Sequence, residues 1–244
     1  MVRAMLRNRI YHLASAAPFV VAMCVLFKFV QEGDFITAAM YFCVALSFVF
    51  SMTSLCRVPG LEYNLIRLGL LFTLVADYFL VVCQPTRELS GVIAFCFVQM
   101  AYFAALVISD KNRTRRIVHI AVRGGVTLLI IPVAYLVLGE NADPLAIFSA
   151  LYYANLVCNT VFAFIDFKRW WMFGIGLFAF CLCDASIGFT FLANEYLGAA
   201  EGSFIWNIAH SGVNLAWVFY VPCLTLIGLT PHFPFGRAND GVGK

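Results

Sequence analysis

Eight stretches of about twenty apolar residues, parted by short polar breaks, run the length of this 244-residue chain. The hydrocarbon core of a bilayer takes about 20 residues of α-helix to cross. The stretches fall at about 12–30, 35–55, 66–84, 90–109, 117–138, 145–165, 171–193 and 205–229. Inside lipid a backbone must satisfy its own N–H and C=O groups, so each stretch should be a helix. The breaks carry charge or turn residues, as in Gln31-Glu32-Gly33-Asp34, Arg57-Val58-Pro59-Gly60 and Gln84-Pro85-Thr86-Arg87. Hydrophobic residues make up 63% of the chain and charged residues 12%, where soluble domains carry about a quarter charged. That balance excludes a soluble globule, a disordered chain and a secreted disulfide scaffold. The expected fold is all-α, a polytopic membrane bundle of eight transmembrane helices. It forms one domain over 1–230, followed by a flexible cytoplasmic tail at 231–244.

Basic residues set a direction. With eight spans both termini share a side, and that side collects Arg3, Arg7, Arg9, Arg57, Arg67, Lys111, Arg113, Arg115, Arg116, Arg123, Lys168, Arg169, Arg237 and Lys244. The opposite side holds only Lys28 and Arg87. The positive-inside rule then expects cytoplasmic termini. The net charge of +3 arises in these short loops, which fits topology and gives no sign of a nucleic-acid partner. Nine scattered cysteines, mostly inside apolar runs, imply packing and no disulfide framework. Pro132 and Pro222 fall inside spans and should kink them.

Two acidic residues fall where acids are costly. Asp77 and Asp184 lie deep in the third and seventh spans, where a lipid-facing carboxylate costs roughly 2.5–3.5 kcal/mol. Their settings match: Gly69-Leu70 precedes Asp77 with the spacing at which Gly176-Leu177 precedes Asp184. The two spans are four helices apart and run the same way, which suggests two four-helix halves related as a parallel repeat. At 1.5 Å rise per residue both acids lie roughly 10–14 Å below the outer face. They can meet.

Other polar side chains reach a similar depth: Gln99 and Tyr102 in the fourth span, Tyr152, Asn155 and Asn159 on one face of the sixth, and Asn207, His210, Ser211 and Asn214 in the eighth. Singly each suits an interhelical hydrogen bond. Together they outline a polar chamber in the outer half of the bundle, with Gln99, Tyr102, Tyr152, Asn155 and Asn214 as candidate substrate-binding residues. Paired carboxylates in such a place suit acid–base hydrolysis, and proton-coupled transport is a second possibility. No His or Cys cluster has metal-ligand spacing, so neither a metal nor an organic cofactor is expected.

The stretch Gly69-Leu-Leu-Phe-Thr-Leu-Val-Ala-Asp77 resembles the Gly-Leu-x-Phe-Ser-x-x-Gly-Asp motif of the YhhN-like lysoplasmalogenases. Gly176-Leu-Phe-Ala-Phe-Cys-Leu-Cys-Asp184 is similar to their second motif, and Tyr220-Val-Pro-Cys-Leu-Thr-Leu-Ile to their last helix. The resemblance implies a membrane enzyme that cleaves the vinyl-ether bond of lysoplasmalogens to a fatty aldehyde and a glycerophospho-alcohol, with Asp77 and Asp184 as the catalytic pair. It also implies a lysophospholipid substrate drawn from the bilayer, with Tyr220 as a further candidate substrate-binding residue. The chain departs from the family pattern at Ala76, Gln99, Cys183 and Cys223.

Overall fold

A computed structural model describes residues 2–32, 35–139, 142–191, 202–203, 206–207 and 214–233. Among them the chain forms α1 (Val2–Glu32), α2 (Ile36–Met52), α3 (Leu61–Asp77), α4 (Glu88–Ser109), α5 (Arg113–Leu138), α6 (Pro144–Ile165), α7 (Phe167–Phe191) and α8 (Leu215–Leu229). The all-α bundle expected from hydropathy is therefore present. Seven of these helices, counting α3 and α8 with the turns that extend them, are long and apolar enough to cross a membrane, and α2 is a shorter apolar helix. This is a multi-pass integral membrane protein.

Local chemistry starts and stops the helices. The Asn112 side chain accepts the backbone N–H of Arg115 and caps α5, and Asp143 accepts that of Ala146 ahead of Pro144, the first residue of α6. Both are ordinary N-caps, and proline is well tolerated at the first helical position. Gly139 ends α5 at φ +55°, a conformation with little cost only for glycine. Helix α3 does not stop at Asp77: it widens into a π-helical turn, Tyr78–Val82. No residue of that stretch signals the widening in the sequence.

The helices pack as two similar sets. α3 lies along α4 as α7 lies along α8; α1 packs on α2 as α5 packs on α6; and α4 meets α6 as α8 meets α2. Exchanging the two four-helix halves maps each of these contacts onto its counterpart, as a parallel repeat requires. The paired glycines of the repeat both sit where a neighbouring helix approaches closely. A Cβ on Gly69 would lie 2.1 Å from Cε1 of Tyr102 on α4, and one on Gly176 would lie 2.9 Å from Cγ1 of Ile227 on α8.

Two expectations change. Arg67 and Arg123, counted above among the basic residues of the terminal side, lie within α3 and α5 and are buried. Thr230–His232, at the start of the expected tail, forms a buried 3-10 turn. There His232 stacks on Phe50 at 4.1 Å and its Nε2 lies 2.9 Å from the Phe50 carbonyl oxygen. The rest of the tail, and His210 and Ser211, lie outside the described residues.

The glycine contacts give a first test. Gly69→Ala drives its new methyl into a Tyr102 ring held edge-on against Phe173 and should cost about 1–3 kcal/mol, the usual penalty for overpacking. Gly176→Ala meets Cγ1 of Ile227 at 2.9 Å, a smaller overlap than the 2.1 Å at Gly69, and should cost less. Thermal unfolding of both variants in detergent measures the order, and the reverse order refutes it.

Candidate functional site

Asp77 ends α3 and Asp184 sits seven residues before the end of α7, so the two parallel helices bring their carboxylates to one level. Each meets a tyrosine from a neighbouring helix. The Tyr220 hydroxyl of α8 donates to Oδ2 of Asp77 at 2.6 Å, and the Tyr152 hydroxyl of α6 donates to Oδ2 of Asp184 at 2.5 Å. Asp77 is buried, while Asp184 keeps partial exposure. The two carboxylates lie within electrostatic reach of each other. Cys183 and Cys223 lie within reach of both.

An aromatic wall joins the two pairs. Phe180, one turn before Asp184 on α7, packs against Tyr220 at 5.4 Å and Tyr152 at 6.2 Å between ring centroids. Phe95 covers Tyr152 at 5.3 Å and Trp217 covers Tyr220 at 4.9 Å. Aromatic packing of this kind fixes ring orientation, so each hydroxyl is aimed before anything binds. The wall is nearly closed to the outside: Phe180 is only 2% exposed.

The other sequence candidates divide. Tyr102 is fully buried against Gly69 and Phe173, with its hydroxyl facing Thr73 too loosely for a hydrogen bond. Asn155 turns its amide back to the Leu151 carbonyl of its own helix at 2.7 Å. Asn214 does not reach into the chamber: it precedes α8, and its backbone N–H and C=O pair with the Gln31 side chain at the end of α1. Gln99 is fully buried but belongs to a different cluster, with Asn159 and Arg123. The structure thus gathers Asp77, Asp184, Tyr152 and Tyr220 and sets Gln99, Asn155 and Asn214 apart.

Two features had no sequence signal. Tyr41 of α2 lies within electrostatic reach of Asp77, although nothing near it repeats in the motifs. It also lines a groove of about 530 Å³ shared with Phe35, Ile36, Thr37, Ala38, Phe42 and Val82. The groove therefore runs between the start of α2 and the end of the π-helical turn, and Tyr41 links it to the surroundings of Asp77.

One hydrogen bond holds a buried acid and the other a partly buried one, so losing either should be felt. An unsatisfied buried polar group costs about 1–3 kcal/mol. Tyr220→Phe should fall in that range, and Tyr152→Phe below it, because the more accessible Asp184 can find another donor. Unfolding midpoints in one detergent decide between them; equal losses would contradict the difference in burial.

Comparison with known proteins adds one match. The YhhN family model aligns with residues 38–208, a range that includes Asp77, Tyr152 and Asp184 and ends before Tyr220. No curated protein and no solved structure matches the chain.

Proposed function

The chain belongs to the YhhN family, and on that premise we propose that it is a lysoplasmalogenase-like hydrolase, cleaving the vinyl-ether bond of lysophospholipids by acid–base catalysis with Asp77 and Asp184. The observation that carries the reading is the pair of Tyr–Asp hydrogen bonds facing one another across Phe180. Two carboxyl groups brought together in apolar surroundings favour sharing a proton, one acid and one base, since both ionising would set like charges side by side.

The chemistry follows from that division. The protonated carboxyl gives its proton to the alkene carbon remote from the ether oxygen, leaving an oxocarbenium ion at the carbon that bears it. The ionised carboxylate stabilises this cation and takes a proton from the water that attacks it, a logic shared with glycosidases. The resulting hemiacetal breaks its bond to the glycerol oxygen, which takes up a proton, and the fatty aldehyde departs. Tyr152 and Tyr220 orient the carboxylates by donating to them. The groove at Tyr41 offers an apolar chain a path from the bilayer to Asp77 without passage through water. The termini are assigned to the cytoplasm, because the excess of basic residues on their side persists when buried Arg67 and Arg123 are set aside.

The test is aldehyde release from alkenyl lysophosphatidylethanolamine by the purified protein in detergent. Asp77→Asn and Asp184→Asn should each lower turnover by at least about a hundredfold, the low end for a lost acid or base, while remaining folded. Wild-type turnover in both variants would sink the two-carboxylate mechanism. Proton flux into liposomes driven by a solute, lost in Asp77→Asn and unaccompanied by aldehyde, would make the protein a transporter instead.

A further inference from the structure

Arg123 lies ten residues into α5 and is 7% exposed, a full positive charge inside a membrane helix. Buried charges in such helices are normally paired. None of the ion pairs among the described residues involves Arg123. Its guanidinium donates to Oδ1 of Asn159 at 2.6 Å and to the Gln99 carbonyl at 3.0 Å, and lies 4.3 Å from the centre of the Phe103 ring. All three partners are neutral.

The cluster also has a donor to spare. Asn159 gives its amide hydrogens to both oxygens of Gln99, at 3.0 and 2.9 Å, which fixes the Gln99 side chain with its nitrogen pointing away. That nitrogen is fully buried and has no hydrogen-bond partner. Arg67, the buried arginine of the other half, shows a closed network for contrast. Its Nε, Nη1 and Nη2 end on the Ser51 carbonyl, Asn64 Oδ1 and Ser54 Oγ. Through Asn159, a planar cation and an unused amide nitrogen belong to one hydrogen-bonded cluster that contains no anion, and a guanidinium fork matches phosphate or carboxylate oxygens.

The position selects among anions. Asn159 is seven residues beyond Tyr152 on α6, about 10 Å along the axis at 1.5 Å per residue. The cluster thus lies on the terminal side of the Asp pair, and the groove beside Tyr41, at the opposite ends of α2 and the π-helical turn, lies on the other. A single-chain phospholipid has the same order of parts: phosphate, glycerol, ether bond, apolar chain. We propose that Arg123 and the Gln99 amide form a subsite for the phosphate of a lysophospholipid, holding the head while the ether bond reaches Asp77 and Asp184 and the chain leaves toward the groove. The inference rests on the hydrolase reading for its substrate class.

The experiment uses binding, so that it can succeed or fail apart from hydrolysis. The probes are a saturated alkyl-ether lysophosphatidylethanolamine, which has no vinyl ether to cleave, the matching alkylglycerol without phosphate, and inorganic phosphate. Titration calorimetry on the intact, purified protein should show at least about tenfold tighter binding of the phospholipid than of the alkylglycerol. Gln99→Glu sets a carboxylate beside Arg123 and should erase that preference while unfolding no earlier than wild type. Arg123→Lys keeps the charge without the fork, should weaken the preference several-fold, and serves if the first variant does not fold. Equal wild-type affinity for the two lipids, or an unchanged preference in the folded variants, overturns the proposal. Tight binding of inorganic phosphate with no lipid preference makes the cluster a free-anion site and also overturns it. Aldehyde release could be absent while the preference holds, which would reject the hydrolase and keep the subsite.

Discussion

A carboxyl group inside a bilayer needs a donor, and the arrangement of four helices answers that need twice. Asp77 on α3 takes its hydrogen bond from α8, and Asp184 on α7 takes its own from α6. Neither bond forms within a helix or between sequence neighbours, so each ties two elements together. The close approach of α3 to α4 at Gly69 and of α7 to α8 at Gly176 sets the depth at which the acids stand. Filling either glycine would shift a helix that carries one of the two carboxylates. Packing and chemistry share one set of contacts.

Much of this was legible in the sequence because lipid restricts the choices. Apolar length alone locates the helices, and an acid within one of them has few reasons to be there. The matched Gly-Leu spacing before Asp77 and Asp184 revealed the repeat, and helical periodicity put Tyr152 on an inner face. What stayed hidden depends on backbone detail or on distant pairing. The π-helical turn after Asp77 follows no residue pattern, and Tyr41 reaches Asp77 only because α2 packs beside that turn. Arg123 was misread for a clear reason: it closes a run of basic residues that begins at Lys111, and a charge next to loop charges looks like one of them. Asn214 shared a helical spacing with its neighbours, but it stands before α8 with its backbone tied to Gln31.

The repeat gives two similar halves, and a substrate with a head and a tail needs them to differ. Each half buries one arginine. In the first, Arg67 is closed off by Ser51, Ser54 and Asn64 and ties α2 to α3. In the second, Arg123 joins α4, α5 and α6 through amides and a ring and retains capacity for an acceptor. Of the residues of α5, only His119, Arg123 and Ala134 are buried, so this polar cluster is also the main attachment of that helix. His119 adds to it, stacked on Phe162 at 3.5 Å.

That double duty bears on how the site could stay both stable and open. A helix held by apolar packing would lose most of its attachment if a polar ligand entered beside it. One held by an arginine keeps its attachment when an anion arrives, because the guanidinium has more donors than Asn159 and Gln99 use. Supplying an anion also removes the cost of leaving the charge without a counter-ion in the membrane. Ligand and helix anchor are then stabilised by the same group, so occupancy of the cluster should tighten α5 against α4 and α6. In this arrangement the repeat supplies two acids at the centre, one buried and one partly exposed, and the halves also differ at the ends, where the head and the chain of a lipid must be told apart.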